Sequence, residues 1–206
     1  MLNGISHEWV NKQMGIKVPD YPFLKEGKEA HRIIQEHVLG RKIHPDLKNI
    51  KVHFPLVEEK DFDERLAFSF FITFDEDEYE IRGFYDGLDL KNGRILEIKS
   101  SSNPWSLSKF QASMQRKIYG LSNINLKEAY LITCAKNVDK WKYSPPKLLS
   151  VPYTEKDREE ADGWIIEGIE TLRDGKFTGG LDENGKCTGC FYNMLRYPEL
   201  ANCHFL

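Results

Sequence analysis

GFYDGLDLKNGRILEIKSS, residues 83–101, decides the reading of this chain. Asn92-Gly93 is a strong two-residue hairpin signal. It joins a strand over about Tyr79–Leu90 to one over Arg94–Lys99. Glu97 and Lys99 are two apart on a strand and so face the same way. Leu96 and Ile98 face the other way, into the core. The hairpin returns Asp86, ten intervening residues upstream, to the side of Glu97. Two adjacent carboxylates repel, and one would ordinarily take up a proton. A divalent cation removes that conflict, and oxygen donors suit Mg²⁺ or Mn²⁺. Such a cation polarises a phosphodiester and lowers the pKa of its water. Lys99 beside it can stabilise developing negative charge. An isolated E-x-K is far more often a solvated strand pair, so the surroundings carry weight.

Upstream, LAFSFFITF (66–74) alternates, with Leu66, Phe68, Phe70, Ile72 and Phe74 on one face. The acidic turn Asp75–Glu78 follows. These strands together predict a three-stranded antiparallel meander. Lys25–Leu39 reads as a helix with Gly27, Ala30, His31, Ile34 and Val38 on one stripe, stopped by Gly40. Downstream, a helix is expected over about Leu107–Leu121, its stripe being Leu107, Phe110, Met114, Ile118 and Leu121. A strand at 128–134, a proline-rich connection at 144–152 and a helix at 155–174 complete the pattern. The expected fold is α/β: a mixed central sheet flanked by helices. Residues 25–174 form its core, 1–24 a helical N-terminal segment, and 175–206 a Cys-containing extension packed on that core.

With 206 residues, 40% hydrophobic and 12% aromatic, the chain suits one domain with a proper core. No apolar run approaches the roughly 18–20 residues of a membrane span, and the start lacks a secretion-signal layout. The expectation is a soluble, cytoplasmic protein without a membrane partner. A net charge of −3 and a pI near 6.1 mean that a polyanion would need local basic patches.

Residues 83–101 resemble the core of the PD-(D/E)XK nucleases, a restriction-endonuclease-like fold. Gly27-x-x-x-His31 and Gln115-x-x-x-Tyr119 resemble the RecB-like branch, which includes CRISPR-associated exonucleases and small viral nucleases. The resemblance spans about residues 25–135. It implies that His31, Asp86, Glu97 and the Ile98 carbonyl hold the metal and that Lys99 is the catalytic lysine. It also implies that Gln115 and Tyr119 orient that lysine and contact the DNA backbone. Gln111, Gln115 and Tyr119 lie at steps of four on their helix. Asp89 competes with Asp86 for the aspartate role. Asp86 is preferred because Gly83 stands three residues before it, as in the branch. Glu36 is read as a surface charge.

Lys109, Arg116 and Lys117 are candidate phosphate contacts, and so are Lys136, Lys140 and Lys142. Trp105 and Trp141 are candidate stacking platforms for unpaired bases. Cys187-x₂-Cys190 and Cys203-His204 have the look of a metal knuckle, with His204 or Cys134 as a fourth zinc ligand. Some RecB-like nucleases carry an iron–sulfur cluster, but those have a cysteine upstream of the core, and none precedes Cys134 here. Free thiols or a disulfide are the alternatives to a bound metal or cluster. The expected function is a Mg²⁺- or Mn²⁺-dependent endonuclease on single-stranded DNA. It would serve replication, repair or recombination beside proteins of those processes, in the host cytoplasm if viral. The runner-up is a RecB-like exonuclease with an iron–sulfur cluster, and the rival is an inactive DNA-binding protein.

Overall fold

The computed structural model describes residues 22–58 and 64–173. Residues 21–163 form one compact unit, and residues 164–173 belong to a second. Residues 1–21 of the expected N-terminal segment, and Cys187, Cys190, Cys203 and His204, lie outside the described residues.

Helix α1 (Pro22–Val38) comes first. Strand β1 (Leu56–Val57) follows, then the hairpin β2 (Ala67–Phe74) and β3 (Asp77–Phe84). Next are β4 (Gly87–Asp89), β5 (Arg94–Ser101), α2 (Leu107–Gln111) and α3 (Met114–Ser122). Strands β6 (Glu128–Ala135) and β7 (Lys147–Pro152) precede α4 (Glu155–Arg173). Five strands form one sheet in the order β1-β4-β5-β6-β7, and β2-β3 form a separate pair. Only β5 and β6 run parallel. The mixed sheet flanked by helices is the expected restriction-endonuclease-like architecture.

Alternation along β5 distributes two cores. Leu96 and Ile98 join Ala30, Ile34 and Val38 of α1, with Val57, Ile132 and Trp141. Ile95 joins Phe110, Tyr119, Leu88, Leu131 and Val151 on the other face. Each fully buried leucine or isoleucine contributes about 1.5–3 kcal/mol. The periodicities of α1 and β2 predict this burial: Ala30, Ile34 and Val38 are buried, as are Leu66 and Ile72.

Four expectations need correction. The meander is not continuous: the chain breaks at Tyr85–Asp86, and β4 leaves the β2-β3 pair to join β1 and β5. The two-residue turn is Asp75-Glu76, both at positive φ, because Phe74 pairs with Asp77. Asn92-Gly93 instead closes a four-residue loop between the paired Asp89 and Arg94, with Gly93 alone at positive φ (66°). The expected 107–121 helix is two helices, each started by a serine cap, Ser106 and Ser113. That restart buries Arg116, Tyr119 and Gly120, whereas Leu107 is exposed. Finally, 147–152 is an edge strand; its prolines lie just before the strand and at its last position, where missing N–H donors are tolerated. Among the described residues no helix is long and apolar enough to cross a membrane.

Candidate active site

Gly87 pairs with Val57 on one side and Leu96 on the other. The next residues along, Glu58, Asp86 and Glu97, therefore stand in one row across three strands. Asp86 lies just before β4, and its Oδ2 accepts a hydrogen bond from the Ile98 amide at 2.6 Å. Glu97 lies in mid-β5 with only 5% of its surface exposed. Lys99, two residues on, pairs its ammonium with Glu97 Oε1.

Helix α3 supplies the rest. Tyr119 Oη lies 3.0 Å from Glu97 Oε2 and 3.1 Å from the Phe84 carbonyl. Its single proton serves one of them at a time. Gln115 Oε1 accepts from Lys99 Nζ at 2.9 Å, while its Nε2 reaches Tyr119 Oη at 2.6 Å and Glu97 Oε2 at 3.3 Å. Gln115 thus joins lysine, glutamate and tyrosine in one network. The Tyr119 ring is set by Phe68 and Tyr85, at centroid distances of 5.6 and 5.2 Å. Gly83 makes room for that arrangement, because a Cβ there would lie 2.4 Å from Phe68 Cζ.

Burial and mutual repulsion govern the charges. Burial, then the neighbouring Asp86 carboxylate, push the Glu97 carboxyl up to about 7, against the opposing pull of Lys99 and Tyr119. Burial pushes Asp86 up to about 6, with the Ile98 amide opposing and Glu58 reinforcing. Burial depresses His31 below its ordinary value, so its imidazole tends to stay neutral. The Ile98 backbone acts on His31, as do the charges of Glu97, Lys99 and Glu58.

Two carboxylates, a carbonyl and a neutral imidazole are donors that suit a hard to borderline divalent cation. Asp86 and Glu97 are carboxylates withdrawn from water, with the Lys99 ammonium paired to Glu97. The donor chemistry therefore fits a metal. Among the described residues no three His, Cys, Asp or Glu side chains already converge at ligand distance. Lys99 and Tyr119 occupy Glu97 as arranged.

Asp89 has a different task. It is buried, accepts from Asn92 Nδ2 at 2.7 Å and from Arg94 Nε at 3.1 Å, and anchors the loop before β5. Glu36 pairs with Arg32 at 2.6 Å on the helix surface.

Trp105 and Lys109 lie beside the cluster. The Trp105 ring has Lys109 Nζ 4.5 Å and Lys99 Nζ 5.6 Å from its centroid. The Trp105 amide donates to the buried Thr133 Oγ1 at 2.7 Å, which fastens the loop after β5. Other candidates are not available to a nucleic acid. Arg116 is 2% exposed, paired with Asp157 and donating to the Gln111 carbonyl at 2.9 Å. Lys117 is paired with Glu160. Trp141 is fully buried, its indole N–H donating to the Ala135 carbonyl at 2.8 Å. The segment's exposed aromatic is Tyr143, with Lys142 Nζ 5.0 Å from its ring. Lys140 is exposed and Lys136 half-buried. Cys134 is a buried free thiol in the core, pushed up to about 12 by burial.

A sheet carrying this carboxylate–lysine row defines a class. The family model of the PD-(D/E)XK nuclease superfamily matches residues 5–195, and the chain belongs to that superfamily. Its members are nucleases, and they typically use divalent metals. Among solved structures, the one titled "Crystal structure of SSO0001" is similar in fold, with a TM-score of 0.56 at 15% identity. That likeness covers 84% of this chain and 70% of the other. No curated protein matches the chain.

Proposed function

We propose that the chain is a Mg²⁺- or Mn²⁺-dependent endonuclease of the RecB-like branch that cuts single-stranded DNA in replication, repair or recombination. The observation that carries this reading is the network in which Gln115 joins Lys99 to Glu97 and Tyr119, beside Asp86 and His31. A divalent cation held by His31, Asp86, Glu97 and the Ile98 carbonyl would supply Lewis acidity and an activated water.

The chain's own groups do the remaining work. Gln115 fixes the Lys99 ammonium, which donates to the negative charge that develops on the phosphoryl oxygens. Tyr119 and the Ile98 amide orient the two carboxylates, so little reorganisation accompanies reaction. Trp105, flanked by the Lys99 and Lys109 ammonium groups, offers an unpaired base a ring and its phosphates two cations. Tyr143 with Lys142 offers a second such pair. Base stacking of this kind favours single strands over a closed duplex.

The test is incubation of the protein with circular single-stranded DNA and Mg²⁺, Mn²⁺ or EDTA, beside Asp86→Ala and Lys99→Ala. Metal-dependent cutting lost in both variants supports the proposal. Cutting of linear but not circular strands would make the enzyme an exonuclease. Cutting of neither would leave a DNA-binding protein on a nuclease fold.

A further inference from the structure

We propose that Thr133 is a positioning residue for nucleic acid: its buried hydroxyl holds Trp105 where an unpaired base can stack beside Lys99. The inference rests on the single-strand nuclease reading above.

Strand β6 is built for burial. Ala129, Leu131, Ile132 and Cys134 are all buried, and Thr133 among them is 1% exposed. Valine has the same branched shape without the hydroxyl, and a buried hydroxyl costs free energy unless it is hydrogen-bonded. The Trp105 amide supplies that bond, donating to Thr133 Oγ1 at 2.7 Å. Register fixes where this happens. Thr133 pairs with Lys99, and Leu131 with Glu97, on the parallel neighbour β5. Neighbours in register point to the same face of a sheet, so Thr133 lies on the face that carries Glu97 and Lys99. The loop leaving β5 is thus tied back to the sheet one strand over from Lys99.

The tie falls at Trp105 for a local reason. Pro104 before it has no N–H to donate. Ser106 after it is engaged as the cap of α2, its hydroxyl accepting from the Lys109 amide at 3.2 Å. Trp105 stands half-buried between them, packed against the core that holds Phe110 and Tyr119. With its backbone pinned in this way, the ring keeps the Lys99 and Lys109 ammonium groups 5.6 and 4.5 Å from its centroid. A loop held in place before the strand arrives spares part of the ordering cost of binding.

The experiment measures binding of a fluorescein-labelled oligodeoxythymidine to the full chain by fluorescence anisotropy, without catalytic metal. Wild type, Thr133→Val, Thr133→Ala, Thr133→Ser, Trp105→Ala and the double variant Thr133→Val with Trp105→Ala are compared. Thr133→Val should weaken binding about five-fold, less than loss of the ring itself. Thr133→Ser, which keeps the hydroxyl, should bind as wild type does. The serine and alanine variants differ only in that hydroxyl, so their comparison stands even where the valine variant fails to fold. In the Trp105→Ala background Thr133→Val should cost nothing more, because a residue that acts through the ring then has no ring to place. An equal loss in both backgrounds would overturn the assignment and make Thr133 a structural residue. Wild-type affinity in Thr133→Val and Thr133→Ala, with binding weakened by Trp105→Ala, would overturn it and leave the single-strand reading standing. Binding that Trp105→Ala leaves unaltered would overturn it together with the stacking role of Trp105. Absence of binding by the wild type would remove both the assignment and the single-strand reading.

Discussion

Replacing Glu97 by glutamine should change how the metal-free protein responds to pH. Glu97 is 5% exposed and its carboxyl is held near 7, against an ordinary value of 4.5. The folded state therefore binds the Glu97 proton more tightly than the unfolded chain does. The stability this contributes is complete below the unfolded value and is lost as pH rises through about 7. A shift of roughly two and a half pH units corresponds to about 3 kcal/mol. For a domain of this size that is roughly 6–12 °C in melting temperature. His31 acts in the opposite sense: its value is depressed, so its contribution is present at high pH and fades on acidification. The wild-type curve also contains Asp86, raised to about 6 and so acting in the same sense as Glu97, and the difference between wild type and Glu97→Gln reports Glu97 together with its coupling to Asp86. Thermal melts in EDTA from about pH 5 to about pH 8 should show wild type losing stability, relative to the variant, towards the alkaline end. Mn²⁺ should restore that loss in wild type. Parallel curves for the two proteins would refute the account of Glu97 as a carboxylate strained by burial and by Asp86.

Three further outcomes are expected. Asp157→Asn should cost about 3–5 kcal/mol in urea unfolding, because it leaves the buried Arg116 guanidinium without its counter-charge; an unchanged midpoint would mean that the pair is solvated. Gly83→Ala should cost about 1–3 kcal/mol, since Phe68 must leave its place over Tyr119, and a melt indistinguishable from wild type would contradict the packing. Trp105→Ala should weaken single-stranded DNA binding, measured by fluorescence anisotropy without catalytic metal, by about 1–3 kcal/mol. Trp141→Phe, a change in a buried side chain, should leave that affinity unaltered; a loss there would return Trp141 to the DNA surface.

Local patterns were legible where one physical rule dominates. The period of α1 and the alternation of β2 each report a single buried face, and both were readable to within about three residues. Glu97 and Lys99 share a face by strand geometry alone, and the aspartate upstream follows from the return of the hairpin. The buried face of α3 was not readable. Met114, Ile118 and Leu121 mark one stripe, but the restart at Ser113 rotates the helix so that Arg116 and Tyr119 turn inwards. The burial of Arg116 depends on Asp157, forty-one residues away in the chain, which no local window can supply. Trp141 failed for a similar reason: lysines surround it in sequence, while Ala135 and the α1 core surround it in space.

The sequence by itself determined the α/β class, the carboxylate–lysine strand and the helices that carry His31, Gln115 and Tyr119. These follow from side-chain periodicity and short-range turn chemistry, which act over a few residues. Only the tertiary structure decided that β4 abandons the β2-β3 pair for β1 and β5. That choice depends on long-range pairing, and it places Glu58, Asp86 and Glu97 in one row. Tertiary packing likewise decided which charged groups are exposed, because burial and counter-charges come from segments distant in the chain.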